Sequence, residues 1–274
     1  MTSRELPKRI TTGLLGAVLF LAILVYGGWI GAFVITAMLA MGMLHEFSDM
    51  VFTLPDKAEK RYFMLSIAWL AVLLGFFAPS AFAEILVAGF LAMSVYFLAI
   101  ANRHVPHCLG DHFKELMYSS FCLLYILLPL LYFSRMLLSQ NGVYWTILFF
   151  MIIWASDTGA FFGGRRFGRK RLYPAISPKK TVEGAAIGLA SGVMAALLFK
   201  TLAFGNLGWL SAIVIPIIIG PSSQIGDLAE SFLKRAFNRK DSGTFFPGHG
   251  GFLDRFDGVV FSMPVMYACM KVFS

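Results

Sequence analysis

Asp227, Glu230, Ser231 and Lys234 stand three, four and seven residues along from the first of them in the stretch "SSQIGDLAESFLKR". On a helix those offsets fall along one stripe. Two carboxylates with a hydroxyl one turn on make an oxygen-rich patch, the donor set a hard divalent cation prefers. The same stripe would also serve as a polar clamp between helices. Asp157, in "WASDTGAFFGG", and Glu183, in "TVEGAAIG", are further carboxylates within or at the mouth of apolar runs. Ionisable groups in such places are costly and mark pairing or function. Glu84 reads as an ordinary interfacial carboxylate.

A second cluster is "FPGHGGFLDRFDG", residues 246–258. Gly248, Gly250 and Gly251 allow the backbone to approach a ligand and turn its N–H groups inward, as anion-binding nests do. His249 suits phosphate or metal, and equally suits a turn between glycines. Asp254 and Asp257 are spaced to share one helical face at the start of another apolar run. Acidic residues are also favoured there by the helix dipole alone. Upstream, "GGRRFGRKRLYPAISPKKTVEG" gathers basic residues from Arg165 to Lys180. Those from Arg165 to Arg171 suit anionic lipid headgroups. Lys179 and Lys180 abut a helix entry, where ammonium and unsatisfied N–H groups together suit polyphosphate. Carboxylates to hold a divalent metal beside cations to hold phosphate form the inventory of phosphoryl or nucleotidyl transfer.

The elements that position these groups must lie in a membrane. Hydrophobic residues make up 58% of the 274-residue chain and charged residues 14%, with a mean hydropathy of +0.74. A soluble domain of that balance would have an apolar surface. Apolar stretches long enough to cross roughly 30 Å of hydrocarbon recur throughout. They predict an all-α polytopic bundle of nine crossings, at 10–26, 28–51, 61–78, 80–101, 115–138, 142–163, 181–203, 207–237 and 254–273. Pro216, Gly220 and Pro221 are expected to kink or break the eighth. The first, preceded by Arg4, Lys8 and Arg9, reads as a retained helix rather than a cleaved signal. Cys108, Cys122 and Cys269 are scattered, without disulfide or zinc spacing.

The formal net charge is +8, and its distribution is one-sided. In the nine-span register all Lys and Arg except Arg135, Lys200 and Lys271 fall on the side of the N-terminus, which predicts a cytoplasmic N-terminus. The long polar segments 164–180 and 238–253 share that side. The chain reads as one membrane domain.

At "SFLKRAFNRKDSGTFFPGHGGFLDRFD", residues 231–257, the chain resembles the signature of the phosphatidate cytidylyltransferases, also called CDP-diacylglycerol synthases. Ser231, Lys234, Arg235, Lys240, Asp241, Gly243, Pro247, His249, Gly250, Gly251, Asp254, Arg255 and Asp257 match that pattern. "SDTGAFFGGRRFGR", "SPKKTVEG" and "SQIGDLAES" are similar to other segments of the family, while the N-terminal half matches in hydropathy. The resemblance implies a single membrane-embedded catalytic domain over 1–274, with its catalytic elements in 154–257. It implies transfer of the cytidylyl group of CTP to phosphatidate with Mg²⁺, giving CDP-diacylglycerol and pyrophosphate at the cytoplasmic face of the cell membrane.

The implied metal ligands are Asp227 and Asp254, with Asp157 and Asp257 as second candidates. Ser231, Lys234, Arg235 and Asp257 join Asp227 and Asp254 in the catalytic set. Asp157, Lys179, Lys180, Glu183, Lys240, Asp241, His249, Gly250, Gly251 and Arg255 form the substrate-binding set. The expected partners are CTP, phosphatidate and membrane lipid, without nucleic acid; a second cation and a homodimer are compatible with this reading. Three other classes compete. An anion transporter needs a polar path through the outer half, which is nearly charge-free. A CTP-dependent polyprenol kinase would move the γ-phosphate instead, and a structural scaffold has no need of buried carboxylates. The topology makes a direct prediction: an impermeant thiol reagent should reach Cys108 from the cytoplasmic side only. Labelling of Cys108 in sealed cells would contradict the nine-span register.

Overall fold

The computed structural model describes residues 16, 18–102, 109–243, 245 and 250–273. Residues 10–15 of the first expected crossing, Cys108, Pro247, Gly248 and His249 lie outside the described residues. Among the described residues, eight helices are long and apolar enough to cross a membrane. The chain is a polytopic membrane helix bundle. It divides into two compact units, Met1–Arg135 with Asp241–Arg255, and Met136–Lys240 with Phe256–Ser274.

In the first unit, α1 (residues 18–26) precedes α2 (Gly28–Val51), α3 (Lys57–Phe77), α4 (Phe82–Ala101) and α5 (Leu109–Cys122). A π-helical turn, Leu123–Leu127, joins α5 to α6 (Leu128–Leu137) without a break, so the expected fifth crossing is one rod with a local bulge. Met43, Leu44, Phe47, Met64 and Ile126 are fully buried among these helices.

Helix α3 begins at Lys57, earlier than the hydropathy boundary at 61, because its charges are neutralised internally. Lys60 is fully buried. Its Nζ lies 2.7 Å from Asp56 Oδ1 and 2.5 Å from Glu115 Oε2, with His112 Nδ1 at 3.1 Å. Glu115 Oε1 accepts from the backbone N–H groups of Thr53 (2.8 Å) and Leu54 (3.3 Å). A buried ammonium needs such pairing, and this one fastens the α2–α3 loop to α5.

The second unit contains α7 (Gly142–Phe167), an antiparallel hairpin of β1 (Arg171–Tyr173) and β2 (Ser177–Thr181), α8 (Val182–Leu202) and α9 (Trp209–Ala236). It also holds most of α10 (Leu253–Phe273). The hairpin adds a small β element to the expected all-α bundle. Its local strand pairing lies within a polar loop that gives no period-2 apolar signal.

Helix α9 runs uninterrupted through Pro216 and Pro221. Each proline forfeits one backbone hydrogen bond, and neighbouring helices in a bundle tolerate that loss. The expected break is therefore absent.

Helices α7 and α8 pack at backbone distance. Gly184, Gly188 and Gly192 recur every four residues on α8, the small-residue spacing that lets membrane helices approach closely. A methyl group at Gly188 would lie 2.6 Å from the Ser156 carbonyl oxygen and 3.0 Å from Ala160 Cβ. One at Gly184 would lie 2.8 Å from the Ala160 carbonyl oxygen. The nearest obstacles are backbone, which cannot move aside. Gly188→Ala should therefore lower the thermal midpoint measurably, with overpacking costing about 1–3 kcal/mol. Gly205→Ala, where a methyl group meets nothing within 4 Å, should leave the midpoint unchanged in the same detergent melting assay.

Candidate active site

The α7–α8 contact sets the floor of a cavity of about 590 Å³ in the second unit. Asp157 on α7 and Asp227 on α9 line it, with Gln224 one turn before Asp227. Arg165, Arg171, Lys179 and Lys180 supply basic groups from the end of α7 and from the hairpin. Phe161, Leu172 and Ala185 give it apolar wall. Its volume lies in the range of small-ligand pockets, roughly 300–1,000 Å³.

Local chemistry holds the hairpin at this cavity. Thr181 caps α8 by accepting the Gly184 N–H through its Oγ1 at 3.2 Å. Glu183 accepts from the backbone N–H of Arg169 at 2.9 Å and of Lys170 at 3.2 Å. Glu183, expected to bind substrate, thus ties the start of the hairpin to the start of α8. Arg171 Nη1 donates to the Lys179 carbonyl at 3.5 Å across the strands.

The carboxylates of this unit form an electrostatic chain. Lys180 Nζ lies 2.5 Å from Asp227 Oδ2, and the Ser231 hydroxyl donates to Asp227 Oδ1 at 3.3 Å. Asp157 feels the charges of both Asp227 and Lys180. Asp257 in turn feels Asp227, Glu230 and Lys234, and its Oδ1 accepts the Gly258 N–H at 2.6 Å. Glu230 and Lys234, both buried, pair at 2.6 Å. The expected stripe on α9 is therefore real, and its halves differ. Asp227 lines the cavity, with Ser231 donating to it from one turn on; Glu230 and Lys234 form an internal ion pair.

The donor set suits magnesium chemically. Mg²⁺ takes oxygen ligands and is commonly held by one or two carboxylates, with substrate phosphates and water completing its shell. Asp157 and Asp227 offer that pair. Among the described residues no three His, Cys, Asp or Glu side chains gather as a ready metal cage.

The glycine-rich loop belongs to the first unit and has its own internal order. Asp254 Oδ2 accepts from Ser242 N–H and Ser242 Oγ, both at 3.0 Å, and from Gly251 N–H at 2.8 Å. Gly250 has φ of 82°, a left-handed conformation that glycine adopts without strain. A side chain there would also lie 2.7 Å from Asp254 Oδ2. Gly250 and Gly251 thus serve the Asp254 carboxylate directly. Asp254's expected metal role rests on the signature; these bonds give it an organising role in the loop.

One expectation needs correction. Phe256, between Asp254 and Asp257, leaves the helical region (φ −123°, ψ 15°). The i, i+3 spacing therefore does not place the two aspartates on one helical face, and they fall in different units.

The remaining charged candidates are surface groups. Arg235 Nη1 donates to the Arg239 carbonyl at 2.8 Å, and Lys240, Asp241 and Arg255 are exposed. Sequence reasoning missed Glu46 on α2. Its Oε1 accepts the Phe252 N–H at 2.8 Å, and its Oε2 accepts from Leu253 N–H at 3.1 Å and Ser242 Oγ at 2.9 Å. The available signal was a carboxylate, with Asp49 a second, inside the apolar run 28–51.

A membrane helix bundle with a cavity of paired carboxylates and clustered cations is a class of phosphate-handling membrane enzyme, and comparison with known proteins agrees. The chain belongs to the cytidylyltransferase family, whose model matches residues 7–273. It is 31% identical to a phosphatidate cytidylyltransferase of Bacillus subtilis strain 168, over 98% of this chain and 99% of that protein. A phosphatidate cytidylyltransferase of Staphylococcus epidermidis is 30% identical over 94% of this chain and 96% of its own length. One from Brucella suis biovar 1 is 44% identical over 47% of this chain and 48% of its own.

The cavity predicts how polyphosphate binds. Lys180→Gln should weaken binding of inorganic triphosphate by about tenfold, corresponding to a lost charged contact of roughly 1.4 kcal/mol. Lys57→Gln, at an exposed helix start in the other unit, should leave it unchanged in the same calorimetric titration.

Proposed function

We propose that this protein transfers the cytidylyl group of CTP to phosphatidate, releasing pyrophosphate and forming CDP-diacylglycerol. The cavity that joins Asp157 and Asp227 to Arg165, Arg171, Lys179 and Lys180 carries this reading. Family membership and the near full-length likeness to bacterial phosphatidate cytidylyltransferases support it. A family match over residues 7–273 also supports one catalytic domain for the whole chain.

In this reading an oxygen of the lipid phosphate attacks the α-phosphorus of CTP. The bond from that phosphorus to the bridging oxygen breaks, and its electron pair leaves with pyrophosphate. Phosphatidate is already ionised near neutral pH, so the reaction needs no strong general base. The barrier is the approach of one polyanion to another, which positioning and charge neutralisation lower.

Asp227 and Asp157 would hold Mg²⁺, which when bound neutralises phosphate charge. Lys179, Lys180, Arg165 and Arg171 hold phosphate oxygens. Lys180, paired with Asp227, also fixes that carboxylate's direction. Phe161, Leu172 and Ala185 supply the apolar part of the cavity's lining. The one-sided distribution of Lys and Arg supports an active site that opens to the cytoplasm.

Purified protein supplied with phosphatidate, Mg²⁺ and CTP should place α-phosphate label in lipid and γ-phosphate label in pyrophosphate. Lipid carrying γ-label would identify a kinase instead. In the same assay Asp227→Asn should lose at least about a hundredfold in turnover, a barrier increase of roughly 2.7 kcal/mol. Glu84→Gln should remain active.

A further inference from the structure

We propose that Glu46 is the positioning residue of the glycine-rich loop, fixing the backbone from which Asp254 projects. The proposal rests on the cytidylyl-transfer reading above, together with the metal role the family signature implies for Asp254, for its effect on turnover and Mg²⁺ requirement, and on geometry alone for its effect on the loop.

Glu46 lies within α2 and is only 6% exposed. Both carboxylate oxygens are committed to the loop. Oε1 accepts the Phe252 N–H, while Oε2 accepts the Leu253 N–H and the Ser242 hydroxyl. Ser242 is also the hub of Asp254, donating its N–H and presenting its Oγ to Asp254 Oδ2. Two carboxylates about two hundred residues apart in sequence therefore meet at one hydroxyl, whose single proton they share.

The loop's glycines are shaped to this carboxylate. A methyl group at Gly243 would stand 2.6 Å from Glu46 Oε1, and one at Gly251 would collide with Glu46 Oε2. One turn earlier on α2, a methyl group at Gly42 would stand 2.6 Å from the Phe252 ring. Gly42 and Glu46 thus form one receiving face, with a seat for the Phe252 ring and a three-bond acceptor for the backbone beside it. An apolar residue at 46 would fill the space without fixing the register of residues 252 and 253. A buried charged acceptor fixes it, because each donor left unmatched would be stranded without water.

Glu46→Gln tests this. The amide keeps the size but, whichever way it turns, sets its NH₂ against the backbone N–H of Phe252 or of Leu253. In hydrogen-exchange mass spectrometry of the full chain in detergent, exchange should quicken at least fivefold in peptides covering 250–255. Peptides of α3 and α4 should be unchanged. Turnover should fall roughly ten- to hundredfold, the range a misplacement of about 1 Å produces. The Mg²⁺ concentration for half-maximal turnover should also rise severalfold, which a smaller folded fraction would not cause.

Unchanged exchange in 250–255, exchange raised evenly across the chain, or turnover within twofold of the parent would each overturn the proposal. If Glu46→Gln does not fold, Ser242→Ala decides by the same criteria, since it removes the shared hydroxyl and adds no bulk. A parent protein that makes no CDP-diacylglycerol would sink the functional reading, while the exchange data would still judge the Glu46 clamp.

Discussion

The close approach of α7 to α8 is the contact on which the cavity of the second unit depends. In a membrane there is little hydrophobic gain in bringing two apolar helices together, so packing must supply the attraction. Gly184, Gly188 and Gly192 remove side chains along one stripe and let α8 meet the carbonyls of Ser156 and Ala160 directly. Asp157 follows Ser156 in sequence, and Lys179 and Lys180 lie just before the start of α8. The same stripe that joins the helices therefore brings a carboxylate and two ammonium groups to one cavity. Larger residues there would separate the walls of the site.

Charge in this protein is arranged by pairing. Lys180 meets Asp227, Lys234 meets Glu230, and Lys60 meets Asp56 and Glu115. An isolated charge in so apolar a bundle would be prohibitively costly, while a paired and hydrogen-bonded one is tolerated and specifies a unique arrangement. The pairs divide by exposure. Lys60 is buried and helps tie the α2–α3 loop to α5, and the Glu230–Lys234 pair is buried within α9. Lys180 and Asp227 are only part-buried and face the cavity, where a ligand would have access to them. Buried and cavity-facing ion pairs thus use the same residue types and differ in access to the cavity.

Hydropathy made all eight long helices legible, the largest boundary departure being a start at Leu109 where 115 was expected, and the other departures are instructive. Lys60 drew α3 outward past the hydropathy boundary because its charge is cancelled inside. Pro216 and Pro221 pointed to a kink or break; α9 continues as helix through both, since lost local hydrogen bonds are offset by packing that no local rule sees. The hairpin was hidden in a polar stretch read as loop. Asp157, Asp227, Lys179 and Lys180 were all singled out by type and place, and the fold brings them to one cavity. Glu46 was passed over because nothing near it in sequence hints at donors some two hundred residues away.

The sequence by itself determined the membrane class, the approximate spans and the chemical inventory, because length, apolarity and residue type are local properties. It also carried the family signature. Tertiary structure decided how that inventory is divided. It set Asp227 in the cavity and Glu230 in an internal pair, although both lie on one stripe of one helix. It turned Glu183 to the hairpin backbone and gave the loop glycines to Glu46 and Asp254. Those assignments depend on which helix faces which, and burial decides whether a given carboxylate meets a ligand, a lysine or a backbone N–H.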